Sequence, residues 1–230
     1  MSDTGSNYAS PWGPGIKPKN EEVLTGCGIE EHYPPDTYIF RQGDPSRGYL
    51  YYLKSGMISV ITIGGNGDEK TIYMMEEGSF FGEATFFEGT SHFASALTQK
   101  DCTILKLDEP CVRCLVERDS NFSFYLMRVL AQKLRKLSSQ VEDLAFLSMH
   151  GRLSRLILKF VEDFGIDTEE GIILPLSITD EQLGKLVGAR REAITKALGK
   201  LREMGLVIKQ NRKICVKDIE LLRKYVDTCS

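Results

Sequence analysis

The sequence lacks any apolar run approaching the roughly 20 residues that a membrane-spanning helix requires. Its first residues lack a charged start followed by an apolar core, so no secretory signal is read there, and a cytoplasmic protein without a membrane partner is expected. Residues 1–20 have no apolar period either; they are rich in Ser, Gly, Pro and Asn and read as a flexible leader in which Tyr8 and Trp12 are the side chains able to dock. Histidine is scarce: His32, His92 and His150 are scattered, and no metal site is read from them. Arginine is absent between Arg47 and Arg113. The six cysteines, at 27, 102, 111, 114, 215 and 229, follow no regular spacing, and a reducing cytosol disfavours structural disulfides. Only Cys111-x-x-Cys114 has a suggestive interval, at a helix start that favours thiolates, so Cys111 and Cys114 are a possible redox pair beside the plainer reading as two small apolar helix residues. A thiol–disulfide enzyme would need a thioredoxin-like βαβ unit around that pair, and none surrounds it. A non-enzymatic protein is expected.

The 230 residues allow two modest domains, and 42% hydrophobic with 27% charged residues is ordinary for a folded chain. The net charge of −3 argues against nucleic acid until its distribution is read. Residues 1–150 hold 14 Lys/Arg against 20 Asp/Glu, whereas residues 151–230 hold 15 against 12. Within residues 184–213 the count is 9 against 2, a basic stripe of the kind that releases counterions from phosphates.

From Ile29 to Leu107 the text is a set of about eight short β segments with Gly-rich turns, which predicts a barrel or jelly roll. Cys111–Glu117 reads as a short helix. Asn121–Leu147 is the longest helical stretch, and Met127, Leu130, Leu134, Leu137, Val141 and Leu144 recur in steps of three and four along it. That a/d seam, flanked by Lys133, Arg135, Lys136, Glu142 and Asp143, predicts a parallel dimer helix, compatible with a second face packing on the chain's own barrel. Gly151 interrupts the period. The expected organisation is a leader at 1–20, an effector-sensing β domain at 21–118, a dimerisation helix at 119–149 and a DNA-binding domain at 150–230.

Thr179–Gly205 reads as two helices broken by Gly188. Thr179 caps the first, with acidic residues on its positive end. In the second, Ile194, Leu198 and Leu201 face a core, which turns Arg191, Glu192, Thr195 and Lys196 outward as base readers: Arg for guanine, Glu for cytosine, Lys for guanine or phosphate. Arg190, Lys200, Arg212 and Lys213 are read as phosphate contacts. Val207–Lys209 and Ile214–Val216 form a hairpin wing, and Ile219–Val226 a closing helix.

These stretches resemble the Crp/Fnr family of bacterial transcription regulators. LVGARREAITKALGKLREMGLV is similar to its recognition segment, DLAFLSMHGRLSRLIL to its junction between dimer helix and DNA domain, and GSFFGEATFFEG to its phosphate-binding cassette. The resemblance, over roughly Ile29–Val226, implies an α+β protein: an N-terminal β-barrel or double-stranded β-helix (jelly roll), a long dimerisation helix and a C-terminal winged helix-turn-helix. It implies a homodimer on a palindromic operator with TGTGA-like half-sites, acting with RNA polymerase, as an activator. Lys196 stands where the family usually has Arg, and it lacks the fork geometry.

The resemblance also places an effector pocket at Phe81, Gly82, Glu83, Phe93, Ser95, Leu134, Leu137 and Ser138, between barrel and dimer helix. A cyclic-nucleotide pocket in this family adds an Arg-Ser pair, but the segment here reads Ser91-His92-Phe93-Ala94-Ser95, without the charge-assisted clamp. A buried phosphate facing Phe93 and Leu137 would be poorly paired. An iron–sulfur cluster of the family's type would need more than Cys27 and Cys102. Haem would need axial ligands, and no histidine sits where the carbon-monoxide-sensing relatives place theirs. The expectation is a small organic effector of aromatic character, like the chlorinated phenols of the family's halorespiration regulators, with redox, haem or cyclic-nucleotide control as alternatives.

Overall fold

The computed structural model describes residues 24–229. The predicted leader, with Tyr8 and Trp12, lies outside the described residues. Contacts divide the chain into two compact units, and each is described by itself.

The first unit is a jelly-roll sandwich of two four-stranded sheets, ordered β1-β8-β3-β6 and β2-β7-β4-β5. Its strands are β1 (Ile29–Tyr33), β2 (Tyr38–Phe40), β3 (Tyr49–Ser55), β4 (Met57–Ile63), β5 (Glu69–Glu76), β6 (Ser79–Phe81), β7 (Ser95–Thr98) and β8 (Cys102–Asp108). β3 shows why the sequence reads as a continuous apolar run there and not as an alternation. Tyr51 and Leu53 point into the core between the sheets, with Ile58, Tyr73, Phe81 and Ile104. Leu50 and Tyr52 point the other way, into a second cluster with Phe80, Leu105, Leu107, Val112, Phe122 and Leu126. Both faces of the strand are therefore covered, as period-two geometry demands of a run buried throughout.

Three helices complete this unit: α1 (Glu83–Glu88), α2 (Glu109–Arg118) and the start of α3 (Ser120–Phe146). α1 is bounded by Gly82 and Gly89, both left-handed. At Gly82 a Cβ would lie 2.7 Å from the Tyr51 ring, so both the positive φ and the close approach require glycine. Asp108 caps α2, its carboxylate accepting from the Cys111 N–H at 2.9 Å.

α3 runs for 27 residues, about 40 Å at the helical rise. Phe122, Leu126, Val129 and Lys133 are its buried stripe, and Met127, Leu130, Leu134, Leu137, Val141 and Leu144 form a second stripe that is exposed. Lys133, which the pattern places among the solvated flanks of the seam, is instead 5% exposed and continues the core stripe.

The second unit holds the end of α3, then α4 (Met149–Phe164), β9 (Ile166–Thr168), β10 (Gly171–Leu174), α5 (Asp180–Val187), α6 (Arg191–Glu203), β11 (Val207–Gln210), β12 (Lys213–Val216) and α7 (Ile219–Asp227). Its four strands form one sheet, ordered β11-β12-β10-β9. The helical break falls at Leu147-Ser148, where the Ser148 hydroxyl caps α4. Gly151 does not break the helix; it sits within α4 because a Cβ there would meet the Cys229 Cβ at 2.8 Å. β9 has no clear sequence signal: all three residues are exposed, so no alternation marks it.

Candidate nucleic-acid interface and effector cavity

The helix-turn-helix is built by local chemistry. Thr179 and Gln182 form a reciprocal capping box at the start of α5, and Gly188 ends that helix in the left-handed conformation. Leu183, Val187, Ile194, Ala197, Leu198 and Leu201 bury the facing sides of α5 and α6. With about 100° per residue, this leaves Glu192 and Lys196 on the outward face of α6, flanked by Arg191 and Thr195, all four exposed. Arg190 is the exposed N-cap residue of α6.

The wing turns through Asn211 and Arg212, with φ of 51° and 64°, between the paired residues Gln210 and Lys213. Two positive φ values in a two-residue loop match the twist of the flanking strands. Arg212 holds a conformation that non-glycine residues rarely adopt, and its carbonyl accepts from the Ile178 N–H at 3.1 Å. Arg212 and Lys213 are exposed on this turn. Lys200 lines a separate cleft with Ser148, His150, Tyr225, Thr228 and Cys229.

Asp180 is a residue that the sequence reading passed over as a simple helix-start acid. One carboxylate oxygen accepts from Thr195 Oγ1 and the other from Lys209 Nζ, each at 2.6 Å. Burial pushes this carboxyl up, but the hydrogen bonds from Lys209 and Thr195 and the charges of Lys209 and Arg191 outweigh burial and hold it below the usual range. Thr195, expected as a base reader, thus has its hydroxyl engaged within the protein. Asp180, Arg191, Lys209 and Arg212 line one polar cleft beside the N-terminus of α6.

In the sandwich unit a cavity of about 30 Å³ is lined by residues including Phe40, Tyr73, Phe81, Glu83, Phe93 and Lys133. Its polar centre is an ion pair: Lys133 Nζ lies 2.8 Å from Glu83 Oε2 and donates to the Phe80 carbonyl at 2.9 Å. Burial lowers the Lys133 pKa, opposed by the charge and hydrogen bond of Glu83. The Tyr73 hydroxyl donates to the Lys133 carbonyl at 3.2 Å.

Of the expected pocket residues, Phe81, Gly82, Glu83 and Phe93 line this cavity. Ser95 does not; its hydroxyl accepts from the Gln42 N–H at 2.8 Å. Leu134, Leu137 and Ser138 do not line it either. They are exposed on α3, Leu134 about 100° around the helix from Lys133 and the others at least a turn beyond. Among the cavity residues that the sequence reading missed, Lys133 is the charged one. The available signal was its spacing of four from Val129, which extends the buried stripe.

The cysteines differ from expectation. Cys111 is bonded to Cys27, not to Cys114, across 84 positions of sequence. The alternative of a Cys111–Cys114 pair thus gives way to a bridge that local spacing cannot reveal, because the two residues meet only through the fold. Cys102 is buried and its thiol donates to the Met57 and Lys100 carbonyls. His92 stacks on Phe40 at 3.7 Å and its Nδ1 is 3.1 Å from Thr85 Oγ1, so it is packed as a core residue, and burial lowers its pKa. Among the described residues there is no cluster of three or more metal-ligating side chains, and no helix long and apolar enough to cross a membrane.

A family model described as "Cyclic nucleotide-binding domain" matches residues 30–119, and one described as "Crp-like helix-turn-helix domain" matches residues 151–225. The chain is 28% identical over 212 residues to the CRP-like cAMP-activated global transcriptional regulator of Mycobacterium tuberculosis, covering 91% of this chain and 93% of that protein. It is 26% identical over 209 residues to the anaerobic regulatory protein of Bacillus subtilis, covering 90% and 86%. A mutant CooA structure from Carboxydothermus hydrogenoformans superposes with a TM-score of 0.82 at 21% identity, over 95% of this chain and 100% of that one.

Proposed function

The chain belongs to the Crp/Fnr family of transcription regulators, and from that premise we propose that it reads a two-fold symmetric operator through α6 under control of a non-nucleotide effector. The DNA reading rests on Arg191, Glu192 and Lys196 standing exposed on the outward side of a helix whose other side is fully buried. A bidentate Arg on guanine and a Glu on cytosine favour TGTGA-like half-sites. Arg190, Arg212 and Lys213 supply phosphate contacts that fix register, and Lys200 is a more distant one. The exposed stripe Met127–Leu144 of α3 is the dimer seam, and two-fold symmetry spaces the half-sites by about one helical turn.

The effector reading rests on the Glu83–Lys133 pair. The cavity carries one cation that is already neutralised by a carboxylate, so a cyclic phosphate would have to displace Glu83 to gain its counter-charge. The cavity is also far smaller than the roughly 300 Å³ or more of a ligand site, so a ligand enters only as the lining moves. A small aromatic ligand with one acceptor group suits it better: Lys133 has three N–H donors, of which two serve Glu83 and Phe80, and Phe81 and Phe93 supply ring contacts. Occupancy shifts the DNA-competent population by the ligand's differential affinity for the two states.

Calorimetry of the dimer with cyclic AMP and cyclic GMP tests the effector reading, and micromolar binding of either would overturn it. Selection from a randomised duplex pool tests the DNA reading, and recovery of sites without two-fold symmetry would overturn that.

A further inference from the structure

We propose that Cys27 and Cys111 form a reversible thiol–disulfide switch that braces the start of the dimer helix. The bridge joins the segment before β1 to the first turn of α2, with the two Cα atoms 5.6 Å apart. The two ends differ in environment. Cys27 is exposed. Cys111 is 5% exposed and lies in the first turn of α2, beyond the Asp108 cap.

This asymmetry gives exchange a direction. An incoming thiolate from a small thiol or a protein dithiol reaches the Cys27 sulfur. The new S–S bond forms there, and the old one breaks with its electron pair going to Cys111. Cys111 is the leaving sulfur because it is buried in the apolar cluster, out of reach of the incoming thiolate. A second thiolate of the reductant then attacks its own sulfur in the mixed disulfide. The reductant becomes a disulfide, and Cys27 and Cys111 are left as thiols after taking up two protons. Oxidation reverses this with an oxidised disulfide such as oxidised glutathione.

The bridge also sits where it matters for packing. Leu24, three residues before Cys27, is 1% exposed and belongs to the same cluster as Cys111, Val112, Leu115, Phe122 and Leu126. The Gly28 N–H bonds back to the Leu24 carbonyl at 3.0 Å, so the bridge holds Leu24 against the first turns of α3. Leu126 immediately precedes Met127, where the exposed stripe begins, and Phe122 lies about one turn before Leu126. Reduction frees the anchor and loosens the helix that carries the seam. The coupling to DNA rests on the function proposed above; the bridge itself does not.

The test begins with the full-length protein held in oxidised glutathione or in dithiothreitol, then alkylated and mapped by mass spectrometry. Cys27 and Cys111 are expected to be linked in the first and alkylated in the second, whereas Cys114 is alkylated in both. In Cys111→Ser, Cys27 is expected to form a stable mixed disulfide with glutathione; in Cys27→Ser, the buried Cys111 is not. Alkylation of both cysteines under oxidant, or linkage of Cys111 to Cys114, overturns the switch. Duplex binding, with a site taken from the selected pool, is expected to weaken at least threefold on reduction, and Cys27→Ser is expected to show the weaker value under either condition. Equal affinity of the two forms, with the linkage confirmed, makes the bridge structural only and overturns the coupling without touching the bridge.

Discussion

Replacing Lys133 by Met tests whether the Glu83–Lys133 pair organises the sandwich cavity. The side chains of Lys133 and Glu83 are 6% and 17% exposed, with their charged atoms 2.8 Å apart. Removing one partner of such a pair costs about 3–5 kcal/mol, because the remaining charge is buried without compensation. The partial exposure of Glu83 puts the expected loss near the lower end, about 3 kcal/mol. For a domain of this size, each 1 kcal/mol moves the melting midpoint by about 4 °C, so Lys133→Met lowers the sandwich transition by about 12 °C. Near-ultraviolet circular dichroism isolates that transition, since of the tyrosines among the described residues only Tyr225 lies in the second unit. Adding Glu83→Gln removes the stranded charge and is expected to restore most of the loss, and the double-mutant cycle reads the coupling directly. A shift below about 3 °C in Lys133→Met, or no recovery in the double variant, would refute the claim that this is a buried, mutually dependent pair.

Arg191→Ala is expected to weaken operator binding by about 1–3 kcal/mol and to relax selectivity at one base pair; a variant that selects the same sites with the same strength removes Arg191 from the groove. Leu134→Asp places a carboxylate in the α3 seam, and sedimentation should show monomers, whereas an intact dimer defeats the seam assignment. The folded Asp180 carboxyl titrates below its ordinary value of 3.8, so it contributes stability that is present above that value and lost as pH falls through the folded one. Asp180→Asn should therefore flatten the acid limb of the second unit's stability curve, and an unchanged limb in acid titration would contradict the Thr195–Asp180–Lys209 contacts. Arg212→Gly relieves a positive φ of 64° while removing a cation, so thermal stability should hold or rise while duplex binding becomes less salt-dependent; a fall in stability would show the turn to depend on the Arg side chain.

Much of the architecture was legible because it rests on local signals. Gly-rich turns at short intervals mark the strands of the sandwich, and Thr179, Gly188 and the step from Ile194 to Leu198 and Leu201 mark the helix-turn-helix. Long-range consequences were less legible. Nothing in the spacing of Cys27 and Cys111 announces a bridge, since β1–β8 bring them together. Lys133 reads as a surface residue because charge usually implies solvent, and the Glu83 carboxylate together with the Phe80 carbonyl makes its burial tolerable. Ser95 read as a ligand group because its neighbours suggested a pocket, although its hydroxyl satisfies the Gln42 backbone. Asp180 reads as a helix-start acid alone, and its contacts to α6 and the wing depend on tertiary placement. The candidate surface for DNA was therefore easier to read than the cavity, because a recognition helix is one contiguous segment and a cavity is not.

The two stripes of α3 are offset by one residue: Leu126, Val129 and Lys133 face the sandwich, and Met127, Leu130 and Leu134 face outward. Adjacent residues on a rigid helix share one axis and one angular displacement. Any force that draws Lys133 toward or away from Glu83 is therefore also a torque on Leu134, with no intervening chain of contacts. A few degrees of axial roll at Lys133 turn the exposed stripe of the same helix through the same angle. In the dimer proposed above, the helix would act as a crankshaft, its stiffness setting how little movement of Lys133 suffices to change the angle at which two copies meet.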